Sequence, residues 1–353
     1  MISAAAALRT ASSTSDRSPW RKSSIICPAK HGCAGFRSAA GVPAPGVHHV
    51  PVKCSPYAAN RPLRCGDMDH ISAPPAAVLT AFGAAAPVVP LPGGQGTARR
   101  CGALVLKPVA FTAETRWRAG VLCHLVDGDG FRVARPVSAA DGAWSAGGWE
   151  AWRWLPGAAD PYRPDEVIRA GAAFHAAVAG LPRPRFLAVR NDPWARAERL
   201  AFGDTDTDTD TDADSDGAAG IVGESGSALL KPLLAARRPV TTPAQLVHGD
   251  LLGNVLFAPD APPAIIDWAV YWRPAAWAAA VVAVDAVCWW EEGAPLLERW
   301  SGLPEWRQML LRALVFRIAA HTEPLTGAQE SAYARTAELV LGTADGPGAG
   351  RSG

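Results

Sequence analysis

The sequence predicts an α+β protein with two lobes: a small N-terminal lobe of sheet plus one helix, and a larger, mostly helical C-terminal lobe. Residues 88–155 contain several short β-type runs and one stretch with helical spacing. From residue 164 onwards, apolar residues recur with the 3.6-residue period of amphipathic helices. A chain of 353 residues is long enough for each lobe to bury a core of its own.

The N-terminal lobe is predicted over residues 68–155. "VVPLPGGQGTARRCGALVLKPV" contains two β-type runs separated by a glycine turn, and "TAETRWRAGVLCHLV" places its apolar residues on one helical face. The predicted elements are, in chain order, a helix over 72–83, two strands within 88–109, a helix over 112–126, and strands over 131–137 and 147–155.

The C-terminal lobe is predicted over residues 156–342, and an acidic insertion over 203–225 divides it. Closely spaced aspartates in "GDTDTDTDTDADSDG" repel one another and bury nothing, so we expect this insertion to be disordered. A calcium loop is disfavoured because the glycine and the terminal glutamate of an EF-hand are missing. The predicted helices span 164–181, 226–240, 274–291, 294–300, 304–321 and 328–341.

The two ends of the chain are predicted to lie outside the fold. Residues 1–67 carry nine Lys/Arg and two Asp, are rich in Ser, Ala and Pro, and show no sustained periodicity. They are either a targeting presequence or a disordered extension upstream of a natural start at Met68. The second explanation is favoured because there is no apolar segment followed by a cleavage site. The glycine-rich residues 343–353 are predicted to be a flexible tail.

Charge and hydropathy argue against nucleic acid or membrane partners. The formal net charge is +1, so no overall field attracts polyanions. No apolar run reaches the roughly 18–20 residues needed to span a bilayer. The most apolar stretch, "AAWAAAVVAVDAVCWW", is interrupted by Asp285 and is predicted to be a buried helix.

The seven cysteines indicate a reducing compartment. Four N-terminal cysteines lack the paired spacing of a zinc site: Cys27, Cys33, Cys54 and Cys65. The remaining three have apolar neighbours and are predicted to be reduced core residues: Cys101, Cys123 and Cys288. We therefore expect a cytoplasmic protein. The sequence does not predict an oligomeric state.

One polar constellation stands out, in "LVHGDLLGNVLFA" (246–258) and the downstream "AIIDW". Phosphoryl transfer needs a carboxylate to orient the attacking hydroxyl, oxygen ligands for Mg²⁺, and a lysine for the phosphates. Asp250 would be the base, and Asn254 with Asp267 would hold the metal, because Mg²⁺ combines few protein oxygens with phosphate and water. His248 would tie the loop to the strand that ends at Asp267.

These motifs carry a family resemblance. "HGDLLGNVLF…AIIDW" resembles the catalytic core of the aminoglycoside phosphotransferase-like branch of the protein-kinase-like superfamily, and "LPGGQGTARRCGALVLKPV" resembles its glycine turn and lysine-bearing strand. The texture of "GGQG", "LVLKPV" and "VYWRPAAW" is similar to an actinobacterial subgroup. The resemblance covers most of residues 85–340. It implies a two-lobed kinase-like fold, ATP (or GTP) with Mg²⁺, and a small-molecule hydroxyl acceptor.

The resemblance also implies roles for individual residues. Asp250 matches the catalytic aspartate, with His248 beside it, and Asp267 matches the metal aspartate. Lys107 matches the phosphate-anchoring lysine, whose usual partner is a glutamate on the following helix; Glu114 is the only acidic residue there. The residues that match the phosphate-covering turn are Gly93, Gly94 and Gly96.

The catalytic loop departs from the family pattern. Three residues separate Asp250 from Asn254 where the family has four, a difference of about 3.3–3.6 Å in extended chain. Either the loop reconforms around Gly253, which accepts unusual backbone angles, or Asn254 does not bind metal. The alternative is a catalytically weak or inactive nucleotide-binding protein with a regulatory role. A metal-dependent hydrolase using His248 is disfavoured, since no second histidine has ligand spacing.

Several neighbouring residues have simpler expected roles. Asp285 is predicted to bond to the catalytic-loop backbone, and Arg273 either meets substrate or phosphate or is a solvated loop arginine. His124 and His175 are predicted to pack within helices. A linker near Trp149–Trp152 is expected to contact the adenine, and three tryptophans either line an acceptor pocket or belong to the core: Trp268, Trp272 and Trp277.

Overall fold

The computed structural model describes residues 73–92, 96–203, 224 and 226–342, and it confirms a mixed α+β fold. The predicted N-terminal extension with its four cysteines and the predicted tail lie outside the described residues. So does the acidic insertion, apart from Gly203 and Glu224.

The strands are β1 (Val88–Pro90), β2 (Arg99–Cys101), β3 (Leu104–Pro108), β4 (Arg132–Val133), β5 (Pro136–Val137), β6 (Trp149–Arg153), β7 (Ala158–Ala159), β8 (Gln245–His248), β9 (Val255–Ala258), β10 (Ala261–Ile265) and β11 (Val270–Arg273). The helices are α1 (Ala76–Ala81), α2 (Thr112–Leu122), α3 (Pro164–Val178), α4 (Pro193–Phe202), α5 (226–235), α6 (Ala275–Trp289), α7 (Ala294–Arg299), α8 (Trp306–Ala319) and α9 (Gly327–Gly342), with a 3₁₀ helix over Arg185–Ala188.

An antiparallel five-stranded sheet with the order β1-β2-β3-β6-β5 lies in the first half of the described chain. Successive side chains of a strand point to opposite faces. On β3, Leu104 and Leu106 are buried on one face against α1, in a cluster with Val78 and Phe82. Lys107 points to the other face, directly opposite Glu150 of β6.

The predicted strand over 131–137 is divided between two sheets. Its first half, β4, pairs in parallel with β10 in a four-stranded sheet, whereas its second half, β5, pairs with β6. The chain changes sheets at Arg135, whose guanidinium donates to the Leu122 carbonyl (2.6 Å) and to Asp127 (2.6 Å). These bonds hold the chain at the point where it passes from one sheet to the other.

The remaining helices form the larger core. Helix α6 is buried almost all round, as predicted for this apolar stretch, and its alanines let α8 and α3 approach closely. Trp277 of α6 and Phe316 of α8 meet edge to face, with ring centroids 5.2 Å apart. No helix in the described part of the chain is long and apolar enough to cross a membrane.

Some element boundaries and environments differ from the predictions. Helix α2 ends at Leu122 rather than at residue 126, because Asp-Gly-Asp-Gly follows within a few residues and favours turns. His124 is therefore exposed beyond the helix end and does not pack inside a helix. Cys101 and Cys288 are buried free thiols as predicted, but Cys123 is only half-buried.

Candidate active site

The loop between β8 and β9 carries the central polar residues, and two glycines shape it. A Cβ at Gly249 would overlap the ring of Tyr271, so only glycine allows the chain to pass here. Gly253 has a φ of +94°, a conformation that L side chains rarely adopt. The chain therefore turns tightly before β9 and returns Asn254 towards Asp250.

His248 is fully buried and holds this loop together through three hydrogen bonds. Its Nδ1 accepts from the Asp250 N–H (3.1 Å), and its Nε2 lies 3.0 Å from the Ile266 carbonyl oxygen. The ring proton must therefore be on Nε2. The His248 N–H donates to Nε2 of His175 (3.0 Å), so His175 is a hydrogen-bond acceptor and not only a packing residue. Burial lowers the pKa of His248, which keeps the ring neutral.

Asp250 presents a carboxylate whose two oxygens are both oriented. Arg317 Nη2 donates to Oδ1 (2.7 Å), and Asn254 Nδ2 lies 3.2 Å from Oδ2. The same Asn254 nitrogen donates to the Asp250 carbonyl oxygen (2.6 Å). The Asp250 side chain is nevertheless 46% exposed. It is fixed in orientation and accessible to a substrate.

Asp267 follows β10 and is held from both sides. The Ile266 N–H donates to the Asn254 carbonyl oxygen (3.0 Å), and the Trp268 indole donates to the Val247 carbonyl oxygen (3.0 Å). Between these anchors Asp267 has a φ of +53°. A left-handed non-glycine residue costs on the order of 1–3 kcal/mol, and such strain is common at functional sites.

Lys107 forms an ion pair with Asp267, which links β3 to the segment after β10. The Asp267 side chain is 43% exposed. Desolvation acts to raise the pKa of Asp267, but the Lys107 ammonium and the Arg118 guanidinium lower it below its ordinary value. The carboxylate is therefore charged at neutral pH and suited to a cation.

The predicted pairing of Lys107 with Glu114 is wrong. Glu114 lies in the first turn of α2 and faces Arg190, at 3.7 Å. Its pKa is raised mainly by burial, although Arg118 and Arg190 act to lower it. Only three residues separate β3 from α2, and the carboxylate in the first turn of the helix is paired with Arg190 rather than with Lys107. Glu114 is thus a contact between α2 and the segment after α3.

Two residues that the motifs did not indicate form an ion pair beside Lys107. Arg118 of α2 donates to both carboxylate oxygens of Glu150 (2.7 and 3.0 Å), which lies opposite Lys107 on β6. Arg118 also donates to the Trp268 carbonyl oxygen (3.3 Å). The helix thus supplies the cation and the strand the carboxylate. A glutamate in the middle of the β-type run "WEAWRW" was the available signal.

Asp285 is linked to the loop between β8 and β9 through Arg317, and the prediction that it bonds to the backbone of this loop is wrong. It is buried in α6 and pairs with Arg317 of α8, which in turn reaches Asp250. Burial raises the pKa of Asp285 to about 6, against the lowering effect of Arg317. Arg317 was not singled out from the sequence, where it is one of three arginines in helix α8.

The glycine turn is described only in part. Gly93 and Gly94 lie outside the described residues. Gly96 has a φ of +69°, and a Cβ there would meet no described atom within 4 Å, while its carbonyl oxygen accepts from Arg99 Nη1 (2.7 Å). The turn lies between the paired strands β1 and β2. The two strands predicted within 88–109 are three in the structure, because the short strand β2 lies between the glycine turn and the predicted lysine-bearing strand β3.

The structure also shows the environments of Arg273 and of the tryptophans near the site. Arg273 is paired with Glu198 and is therefore not a solvated loop arginine. Trp268 and Trp277 are core residues, which removes them from an acceptor pocket, whereas Trp272 is half-buried. The segment Trp149–Trp152 is not a linker, because it forms the buried strand β6 between β3 and β5.

Magnesium is compatible with the oxygens that this site presents. The side-chain contacts between Asn254 and Asp250 are made by Asn254 Nδ2. No hydrogen bond to Asn254 Oδ1 occurs in the described part of the chain, so this oxygen is available as a ligand. The charged Asp267 carboxylate offers the second donor. Among the described residues no group of three or more His, Cys, Asp or Glu could hold a metal by itself. Mg²⁺ does not require one where phosphate and water complete its shell.

Comparison with known proteins identifies the family. The family model for the phosphotransferase enzyme family matches residues 100–311, which is more than half of the chain; Arg317 lies beyond its end. Similar solved structures include an aminoglycoside phosphotransferase from Alicyclobacillus acidocaldarius subsp. acidocaldarius DSM 446 (16% identity, 76% of this chain and 94% of that chain, TM-score 0.44). Another is spectinomycin phosphotransferase APH(9)-Ia with ADP and spectinomycin (13% identity, 75% of this chain and 95% of that chain, TM-score 0.47).

A third is amicoumacin kinase hAmiN with AMP-PNP, Ca²⁺ and Ami (14% identity, 72% of this chain and 87% of that chain, TM-score 0.45). A search of curated proteins gave no match. The residues that match the family model include the strand that bears Lys107, the loop that bears Asp250 and the segment that bears Asp267. The chain belongs to the phosphotransferase enzyme family.

Proposed function

We propose that this protein transfers the γ-phosphoryl group of ATP or GTP to a hydroxyl of a small molecule. The bond between the γ-phosphorus and the leaving diphosphate oxygen breaks, a bond to the acceptor oxygen forms, and the hydroxyl proton passes to a carboxylate. One observation carries the proposal: the loop with Asp250 is hydrogen-bonded to the segment that leads to Asp267, which pairs with Lys107.

Asp250 is the proposed base. Its exposed carboxylate can accept a hydrogen bond from an acceptor hydroxyl and orient the oxygen for attack. Arg317 and Asn254 each hold one carboxylate oxygen, so little reorganisation is needed when the acceptor binds. His248 has a structural role in this scheme, because both of its ring nitrogens are engaged by backbone groups.

Asp267 and Asn254 Oδ1 are the proposed magnesium ligands, and Lys107 is the proposed phosphate anchor. A bound magnesium ion would neutralise charge on the phosphate oxygens during transfer. Lys107 lies on a strand beside this position, with an ammonium that can turn from the Asp267 carboxylate to a phosphate. Gly96 belongs to the turn proposed to cover the phosphates, where a glycine without a Cβ allows the backbone to approach an anion closely.

A second candidate is a catalytically weak or inactive nucleotide-binding protein with a regulatory role. The observation that favours it is the placement of Glu114 away from Lys107, which leaves the lysine without a helix carboxylate. The two candidates share a nucleotide site and differ in Asp250-dependent turnover.

The experiment compares purified wild-type protein with Asp250→Asn and Asp260→Asn. Thermal shifts are measured with Mg-ATP and Mg-GTP, and phosphoryl transfer is followed across hydroxyl compounds that include hygromycin B, spectinomycin, sugars, choline and amino acids. We expect Asp250→Asn to lower turnover by about 10²–10⁴-fold, the usual contribution of a general base. Asp260 is an exposed turn residue, so Asp260→Asn makes the same chemical change and should leave turnover unchanged.

The possible outcomes separate the candidates. Turnover that depends on Asp250 supports the phosphotransferase. A nucleotide-dependent thermal shift without such turnover on any acceptor supports the regulatory alternative. The absence of a thermal shift with either nucleotide contradicts both.

A further inference from the structure

Arg317 has an environment that is unusual for a cation. Its side chain is 1% exposed in the middle of α8. A buried charge is costly unless it is paired and hydrogen-bonded. Two aspartates from different elements provide the pairing: Asp285 on α6 and Asp250 in the catalytic loop.

The two aspartates are not equivalent partners. Asp285 is itself buried and engages Nε and Nη2 of Arg317 with its two oxygens, a forked pair that is complete and electrically neutral. Asp250 is accessible to water and does not need a buried cation for solvation. The additional bond from Nη2 to Asp250 Oδ1 therefore has a different consequence: it fixes where that oxygen lies.

The forked pair also fixes the direction of the Arg317 N–H that donates to Asp250. With two of its nitrogens held by Asp285, the guanidinium cannot rotate about its long side chain, and the direction of the N–H that reaches Asp250 is set. Asn254 holds the other oxygen from within the loop. One contact comes from the local turn and the other from a distant helix.

We propose that Arg317 and Asp285 are positioning residues, a role that rests on the phosphotransferase function proposed above. They set the orientation of the Asp250 carboxylate, which in turn directs the acceptor hydroxyl at the γ-phosphorus. Neither touches the reacting atoms. Both act through Asp250, so their loss lowers the rate of transfer more than the binding of nucleotide. A misplacement of about 1 Å at a reacting group can cost on the order of 100-fold in rate.

The test compares Arg317→Lys, Arg317→Met and Asp285→Asn with Arg312→Met. Arg312 is a buried arginine of the same helix, but it bonds to Gln308 (2.7 Å) and to the Arg238 carbonyl oxygen (2.6 Å), away from Asp250. For each full-length protein, kcat, the KM for Mg-ATP and Tm are measured, with rates corrected for the folded fraction.

We expect Arg317→Met and Asp285→Asn to lower kcat by about 10–100-fold with KM for Mg-ATP changed by less than about twofold. Arg317→Lys should recover part of the lost kcat, because it restores the cation without the fork. Arg312→Met should lower Tm and keep kcat. A wild-type kcat in Arg317→Met would overturn the positioning role. So would a loss of kcat in both Arg317→Met and Arg312→Met that is in proportion to the fall in Tm of each variant.

A double-mutant cycle separates this proposal from the proposed function. The Tm shifts of Arg317→Met, Asp250→Asn and the double variant are compared, since residues in contact give shifts that do not add. Additive shifts contradict the contact, whatever the activity. If the wild-type protein shows no Asp250-dependent turnover, the proposed function fails and the catalytic role fails with it, even where the cycle shows coupling.

Discussion

His175 should make the stability of this protein fall in mild acid. Its side chain is 3% exposed, and its Nε2 accepts the His248 N–H, so protonation at that nitrogen breaks the bond. Burial, with a smaller effect of His248, lowers the pKa of His175 to about 3. In the unfolded chain the imidazole returns to an ordinary pKa of about 6.5.

The sign and size of the effect follow from these two values. Between pH 3 and 6.5 the unfolded chain binds a proton at His175 that the folded protein excludes. The stabilisation is therefore complete above the unfolded pKa and is lost as the pH falls below it. Between pH 7.5 and 5.5, His175 alone should lower the free energy of unfolding by about 1.4 kcal/mol.

The perturbation is His175→Gln, which removes the titrating ring and keeps an oxygen that can accept the His248 N–H. The free energy of unfolding is measured by urea denaturation at both pH values. The variant should lose about 1.4 kcal/mol less than wild type between them, whereas His124→Gln, at an exposed histidine, should behave as wild type. An equal pH dependence in wild type and His175→Gln would refute the reasoning.

Two further predictions concern packing and charge. A Cβ at Gly171 of α3 would overlap the buried Leu251 side chain, so Gly171→Ala should lower the free energy of unfolding by about 1 kcal/mol or more in urea denaturation. Gly120→Ala, at an open helical position, should raise it by about 0.4–1 kcal/mol; matching signs would contradict this. Lys107→Met should weaken Mg-ATP binding by about 10–100-fold in calorimetry, with the exposed Lys231→Met as control; unchanged affinity would remove Lys107 from the phosphate site.

Local patterns were sufficient to predict the elements around the site. The β-type run with Lys107, the glycine turn before it and the apolar stretch around Asp285 all have periodicities that a few neighbouring residues determine. The predicted strand over 131–137 failed for a non-local reason, because its two halves pair with different sheets. Hydrophobic periodicity describes the face that a strand buries and not its partner.

The ion pairs were harder to predict, because each depends on contacts between distant parts of the chain. Glu114 is close to Lys107 in sequence, yet it faces Arg190 in space. A partial signal did exist for Arg317: helix α6 is apolar nearly all round, and a buried charge such as Asp285 requires a partner of opposite sign. Helix α8 carries two buried arginines, Arg312 and Arg317, so the sequence alone does not say which of them is the partner.

The proposed catalytic loop has three residues between Asp250 and Asn254, one fewer than the pattern that it resembles. A missing residue must be absorbed either by displacing Asp250 or Asn254 or by a tighter turn between them. The left-handed Gly253 provides the tighter turn, and the Asn254 amide returns to both the carbonyl and the carboxylate of Asp250. The Asn254 carbonyl still receives the Ile266 N–H, which fixes the residue before Asp267. A turn with three residues between Asp250 and Asn254 is thus closed by its own hydrogen bonds, and under the proposed function Asn254 Oδ1 is the oxygen that would bind the cation.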